Sequence, residues 1–281
     1  MQNALNQHSI IIDCSNYKQI CEAPAQLELG KGTSVLFKME RMSFIQSDEL
    51  THLRCLFDLA LYYHLHITVN PPQNDQARLY SEGMKLFTGF TLPGTPFPNG
   101  ARSSYIPLTK VTSDKNDFLY DEFLKIFNSL RLPSTVVPSL CLAFTEIADN
   151  IFYHSGYNGD STGWGYIAAQ VYRNRVQMSF TDTGIGFEKA YERSGTRLNR
   201  TCNQLLKDSL KYLESRFNLP GQRKTRGVGL HEAADLAKTT GGRLTLRSAA
   251  GMITLSGNGP IQESTTPWLF CGSQISMVIP I

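Results

Sequence analysis

Between Ser9 and Phe90 short apolar runs alternate with helix-length amphipathic segments, the pattern of an α/β unit. SIIID (9–13) and SVLFKM (34–39) predict strands. Ser47 opens SDELTHLRCLFDLALYYH as an N-cap, acids follow in the first turn, and Leu50, Leu53, Leu56/Phe57 and Leu61 recur at helical spacing. HITV (66–69), stopped by Pro71 and Pro72, reads as the next strand, and a further helix is expected from about Asp75 to Phe87. Three prolines ahead of Tyr105 in TLPGTPFPNGARSSYIP (91–107) break regular structure, so a domain boundary is placed near residue 112.

Beyond it, two helical patterns, Asp114–Leu130 and Pro138 to about His154, are separated by Pro133 and Pro138. GWGYIAAQVYR and NRVQMSF predict two strands joined by a tight turn at Arg173 and Asn174, and a long polar, helical stretch covers roughly 187–225. GLHEAADLAKTTGG reads as a helix ending in glycines, and RLTLRS, MITLSG and QISMVIPI as three more strands. Helices on one side of a mainly antiparallel sheet make this half an α+β two-layer sandwich, expected over 113–281 behind an α/β domain at 1–112.

Composition changes this picture little: 281 residues with 41% hydrophobic and 18% charged side chains suit two globular domains. The net charge of +3 is unevenly spread. Residues 1–113 hold nine basic and nine acidic side chains, whereas 187–229 hold ten Lys/Arg against four acids. No aromatic stacking platform accompanies those cations, so nucleic acid is not an expected partner. Six cysteines without CxxC or Cys/His spacing indicate neither zinc nor a disulfide framework. With no signal-peptide pattern and no 18-residue apolar run, the expected setting is cytoplasmic and away from membranes.

Three segments carry candidate chemistry. In CLAFTEIADNIFYHS, Glu146, Asn150 and His154 stand at i, i+4 and i+8 on one helical face; a carboxylate and an amide there suit water activation and a hard cation such as magnesium. In TDTGIGF, Gly184 and Gly186 let the backbone approach a ligand, and Asp182 offers an acceptor for an exocyclic amine such as adenine's. In TRGVGLHEAADLA, Gly227 and Gly229 lead into a helix N-terminus, a setting for phosphate. Taken singly, each also fits a bland reading: a solvated face, a strand-ending turn, a basic surface. P-loop, dinucleotide and G-x-S-x-G motifs are absent from the sequence, and His52, His64, His66 and His231 read as surface or satisfied positions.

In this order, FTEIADNIFYHS, DTGIGF, a basic segment, RGVGL and GSQISMVIP resemble the ATP-binding boxes of the GHKL superfamily, which includes gyrase B, MutL, heat-shock chaperone ATPases and histidine kinases. The resemblance covers about 113–281. It implies ATP and Mg2+ as cofactors, Glu146 as general base, Asn150 on magnesium, Asp182 on the adenine amine and Ser273 assisting it. It further implies Gly184 and Gly186 close to the nucleotide, Arg226 on phosphate, Gly227, Gly229 and Leu230 as the phosphate loop and helix start, and a lid at about 188–225. His154 lies where relatives carry a polar or basic residue. FTEIADNIFYHSGY is most similar to the anti-sigma-factor type of serine/threonine kinase; an acceptor-histidine helix and a transducer domain are both missing from the pattern.

MSFIQSDEL (42–50), ITVNPP and LYSEGMKLF resemble stretches of STAS domains, with Asp48 where phosphorylatable members have the acceptor serine and Ser47 just before it. The resemblances together imply an ATPase or serine/threonine kinase acting on a protein partner, with a homodimer among the expected assemblies. The alternative is an ATP-sensing interaction module without chemistry.

Overall fold

A computed structural model describes residues 9–30, 33–90, 105–111, 116–129, 136–154, 164–193, 199–211 and 229–281. The first third alternates strand and helix as its hydrophobic pattern requires: β1 (Ile10–Asp13), α1 (Tyr17–Leu29), β2 (Ser34–Lys38), α2 (Ser47–Tyr62), β3 (His66–Asn70) and α3 (Asp75–Gly83). The strands form a parallel sheet in the order β1-β2-β3, with Ile12, Phe37 and Val69 in register and buried. Gln46 rather than Ser47 caps α2: its N–H donates to Glu49 Oε2 (2.8 Å) in a capping box, and Ser47 is already helical. Leu61, expected on the buried stripe, is 50% exposed because α2 ends one residue later.

The second sheet has the order β4-β5-β6-β8-β7, every neighbour antiparallel. Its strands are β4 (Tyr105–Val111), β5 (Gly165–Val171), β6 (Arg175–Asp182), β7 (Arg243–Ser256) and β8 (Gln262–Pro280). β4 lies on the N-terminal side of the boundary expected near 112, yet it pairs with β5. RLTLRS and MITLSG are one strand and not two, because a register shift around Ala249 (φ +47°) bends β7 instead of ending it. The helices α4 (Asn116–Ser129), α5 (Val136–His154) and α8 (Gly229–Thr240) cover one face, sharing a core with Ile167, Met178, Phe180, Leu246, Ile275 and Met277. Within the stretch expected as a lid, α6 (Gly186–Arg193) and α7 (Cys202–Asp208) are helical; α7 buries Leu205 and Leu206 against β7, and 212–225 lies outside the described residues.

The opposite face of this sheet is also covered, which revises the two-layer expectation. α2 lies on β5 and β6, and α1 on β8. The strands feed two cores: Ile167 points to α4 and α5 while its neighbours Tyr166 and Ala168 join the core of the three-stranded sheet, and a register shift between Ile106 and Thr109 sends Ile106 to the first core and Leu108 to the second. α2 is accordingly buried on two sides, with Leu50, Leu53, Leu56 and Phe57 in the latter core and Ser47, Thr51 and Cys55 bonded to β6. The layers run helices, five-stranded sheet, α1 and α2, three-stranded sheet.

Candidate functional site

On the face turned to α5 and α8, apolar rungs cross the sheet: Met178–Met277–Leu244, then Phe180–Ile275–Leu246. The next rung is Gly165–Asp182–Ser273–Ser248, polar where the pattern calls for hydrophobics. Asp182 is 5% exposed, and its Oδ1 accepts the Gly184 N–H at 2.8 Å. Burial pushes its carboxyl up to about 7, although N–H groups of Gly184 and Ser273 and the Ser273 hydroxyl favour the charged form. A buried, hydrogen-bonded carboxylate at the end of an apolar face is an acceptor poised for a donor with a flat, apolar body.

Two glycines make the approach possible. Gly272 has φ +80°, and a Cβ there would overlap the Asp182 carbonyl oxygen and lie 2.8 Å from Oδ1. Gly186 has φ +70°, and its Cβ would meet Ser248 Oγ at 2.6 Å and Gly272 O at 2.8 Å. Ser248 ties the turn down, donating to Gly272 O (2.7 Å) and accepting the Phe187 N–H (3.0 Å). Sequence reading missed Gly272 and Ser248. The glycine inside a strand run was a usable signal; a serine on a strand was not.

Glu146 and Asn150 are both half-buried on α5, with Leu140, Phe144 and Ile147 inward. The first residue of α8, Gly229, rests directly against Glu146: a Cβ at Gly229 would overlap that of Glu146. The N-terminus of α8, with Gly229 and Leu230 buried, is thereby brought to the Glu146 turn of α5. The His154 side chain, Arg226 and Gly227 lie outside the described residues. No group of three or more His, Cys, Asp or Glu side chains among the described residues is arranged to hold a metal, so a magnesium ion there would rest on Asn150 and ligand oxygens. The residues fit that role: an amide oxygen and a neighbouring carboxylate are oxygen ligands for a cation, and the helix start suits the phosphate such a cation accompanies.

Other expectations resolve simply. All six cysteines are free, and burial pushes the Cys271 thiol, which donates to Thr183 O (3.4 Å), up to about 12. Part of the basic segment is paired: Arg200 and Lys211 with Asp208, Lys207 with Glu263. His231 is satisfied by Leu210 O (3.1 Å) and Asp235 (3.2 Å). His52 departs from the expectation of a surface or satisfied position: it is 1% exposed, packs at a tilt on Phe270 with ring centroids 4.5 Å apart, neither ring nitrogen has a partner among the described residues, and burial drives it down to about 3. Ser47 is buried and shares a 2.9 Å hydrogen bond with Ser179, and Asp48 is raised by burial. A separate cleft of about 330 Å³ at the ends of β2 and β3 is lined in part by Glu40, Asn70 and Arg78, where Asn70 Nδ2 donates to Glu40 at 2.6 Å and Arg78 pairs with Glu82 at 3.0 Å. No helix among the described residues is long and apolar enough to cross a membrane. No protein-family model matches the chain, and no curated protein is significantly similar to it.

Proposed function

We propose that the chain is a magnesium-dependent ATP-binding regulatory protein of the GHKL type, acting as an ATPase or an anti-sigma-type serine/threonine kinase on a protein partner. The observation that carries this reading is the polar rung Asp182–Ser273–Ser248 ending an apolar sheet face, with Gly272 held against the carboxylate. Adenine is a flat apolar ring with one amine at its edge, and such a rung takes that amine.

The start of α8, beside Glu146, would hold the phosphates, since the N–H groups and dipole of a helix N-terminus favour anions. Magnesium on Asn150, when bound, neutralises phosphate charge. Glu146, held one helical turn from Asn150, takes the proton of the attacking water or acceptor hydroxyl. The N-terminal unit, whose α2 and α3 segments carry the STAS-like stretches, is the regulatory part. Its contact with the back of the sheet favours a second reading, an ATP-sensing module that does little chemistry.

Calorimetric ATP titration with and without Mg2+, on wild type and Asp182→Ala, followed by turnover of wild type and Glu146→Ala, tests both. Binding lost in Asp182→Ala and turnover lost in Glu146→Ala are the expected results. Binding without turnover, alone or with a partner, selects the sensor; wild type that binds no ATP overturns both readings.

A further inference from the structure

The sheet face turned to α2 carries a second polar rung. Lys110, Tyr166, Thr181, Gln274 and Arg247 stand in register across all five strands, one residue away from Asp182 and Ser273. α2 bonds most of them. Asp58 accepts from Lys110 Nζ (2.6 Å) and Tyr166 OH (2.8 Å) and pairs with Arg54 (3.1 Å). Thr51 and Thr181 share a 2.7 Å hydroxyl bond, and Cys55 Sγ donates to Thr181 O at 3.1 Å. Gln274 Nε2 donates to Asp48 O (3.0 Å) and Thr181 Oγ1 (3.3 Å). Thr181 and Gln274 are the peptide neighbours of Asp182 and Ser273, so the helix grips both strands immediately behind the site.

Burial alone does not explain this grip. Buried hydrogen-bonded pairs replaced by apolar groups of equal shape are nearly neutral in stability, and the other side of α2 seals its sheet with Leu50, Leu53, Leu56 and Phe57. The polar side instead leaves His52 Nδ1 and Nε2, Asp48 Oδ1 and Arg247 Nε buried without partners among the described residues. What hydroxyl and amide bonds add over apolar contact is direction. A small rotation of β6 or β8 at this rung turns the Asp182 carboxylate away from its target, because adjacent residues share a peptide plane.

The geometry points to α2 as the element that aims the Asp182–Ser273 rung from behind, with Thr51 and Gln274 as positioning residues through which the N-terminal unit sets the affinity of the nucleotide site. This rests on the ATP reading above.

The test titrates the full chain with ATP and with adenosine, and records thermal midpoints without ligand. Thr51→Val and Gln274→Met are each expected to weaken both ligands by the same factor, about five- to tenfold, the worth of one hydrogen bond. Thr51→Ser restores wild-type affinity. Lys110→Met, at the far end of the rung, lowers the midpoint and leaves both affinities unchanged. If Thr51→Val does not fold, the double variant Thr51→Val/Thr181→Val, which strands neither hydroxyl of that pair, carries the same expected loss. Unchanged affinities in folded Thr51→Val or in the double variant, a loss for ATP but not adenosine, or equal weakening by Lys110→Met overturns the positioning role alone. Wild type that binds neither ligand overturns the ATP reading, and this role with it.

Discussion

Gly272→Ala puts the packing of the site to a quantitative trial, because the fold supplies its own control. Gly272 and Gly241 both have left-handed backbones, φ +80° and +68°, but a Cβ at Gly241 meets nothing within 4 Å whereas one at Gly272 overlaps the Asp182 carbonyl oxygen. The left-handed conformation costs an L-residue about 1–2 kcal/mol at either position. At Gly272, β8 must also retreat from β6, releasing the Ser273 amide and hydroxyl from Asp182, at about 1 kcal/mol each. The expected losses are thus about 1–2 kcal/mol for Gly241→Ala and about 3–4 kcal/mol for Gly272→Ala. Urea unfolding followed by tryptophan fluorescence and circular dichroism reads both, provided the m-value is unchanged. ATP titration adds the functional half: Gly241→Ala binds as wild type and Gly272→Ala does not bind. Two variants equal in stability within about 0.5 kcal/mol would refute the argument that Gly272 is required by contact with Asp182 and not by backbone angle alone.

Asp182 titrates near 7 against an ordinary 3.8, so the folded protein holds more protons than the unfolded chain between those values. Its contribution to stability therefore declines as pH rises from about 4 to about 7 and is level above, and Asp182→Asn removes that decline; parallel melting curves for the two proteins across this window would contradict it. On the proposed reading, in which the adenine amine donates to the ionised carboxylate, ATP affinity is expected to rise through the same window in calorimetry. Gly229→Ala pushes the start of α8 off Glu146 and is expected to cut turnover at least tenfold with the fold retained, checked by a steady-state assay and circular dichroism. Asp58→Ala takes the acceptor from Lys110 and Tyr166 and the ion pair from Arg54, which keeps its bonds to Leu86 O and Thr88 O, and is expected to cost about 3 kcal/mol in denaturant unfolding.

The elements were legible where one pattern dominated. Apolar strand-like runs revealed β5 and β6, both of which are buried on two faces, and 3.6-residue spacing revealed α2 and α5. β4 was not read as a strand, and its residues fell on the N-terminal side of the boundary, because prolines precede it in sequence while its partner, β5, is 54 residues away or more, a separation that local pattern does not sense. β7 was split because Ala249 and Gly251 look like a strand end when only the register shifts there. At the candidate site, Glu146, Asn150, Asp182, Gly184, Gly186, Gly229 and Ser273 were singled out from motif order, and the fold places Asp182 beside Ser273 and Gly229 against Glu146. Gly272 and Ser248 escaped notice because their importance comes from three strands meeting. The cover on the back of the sheet was equally invisible, since Ser47 read as a helix cap and nothing in the leucine stripe marks Thr51 and Cys55 as facing a strand.

That cover imposes a schedule on biosynthesis. The Gln274–Asp48 bond spans 226 residues of chain. At about 5–20 residues per second, α2 leaves the ribosome roughly 10–45 s before the strand it must meet. Its first strand partner there, β6, is separated from Thr51 by 130 residues, so for more than half of that interval its polar side has no strand to bond and Tyr166 and Ala168 are absent from the first core. Contacts this distant in sequence close slowly even once the chain is complete. Nascent chains arrested between β4 and β6 are the species that holdase chaperones would find with an unsheltered helix, and a ribosome stalled near residue 200 is the place to look for it.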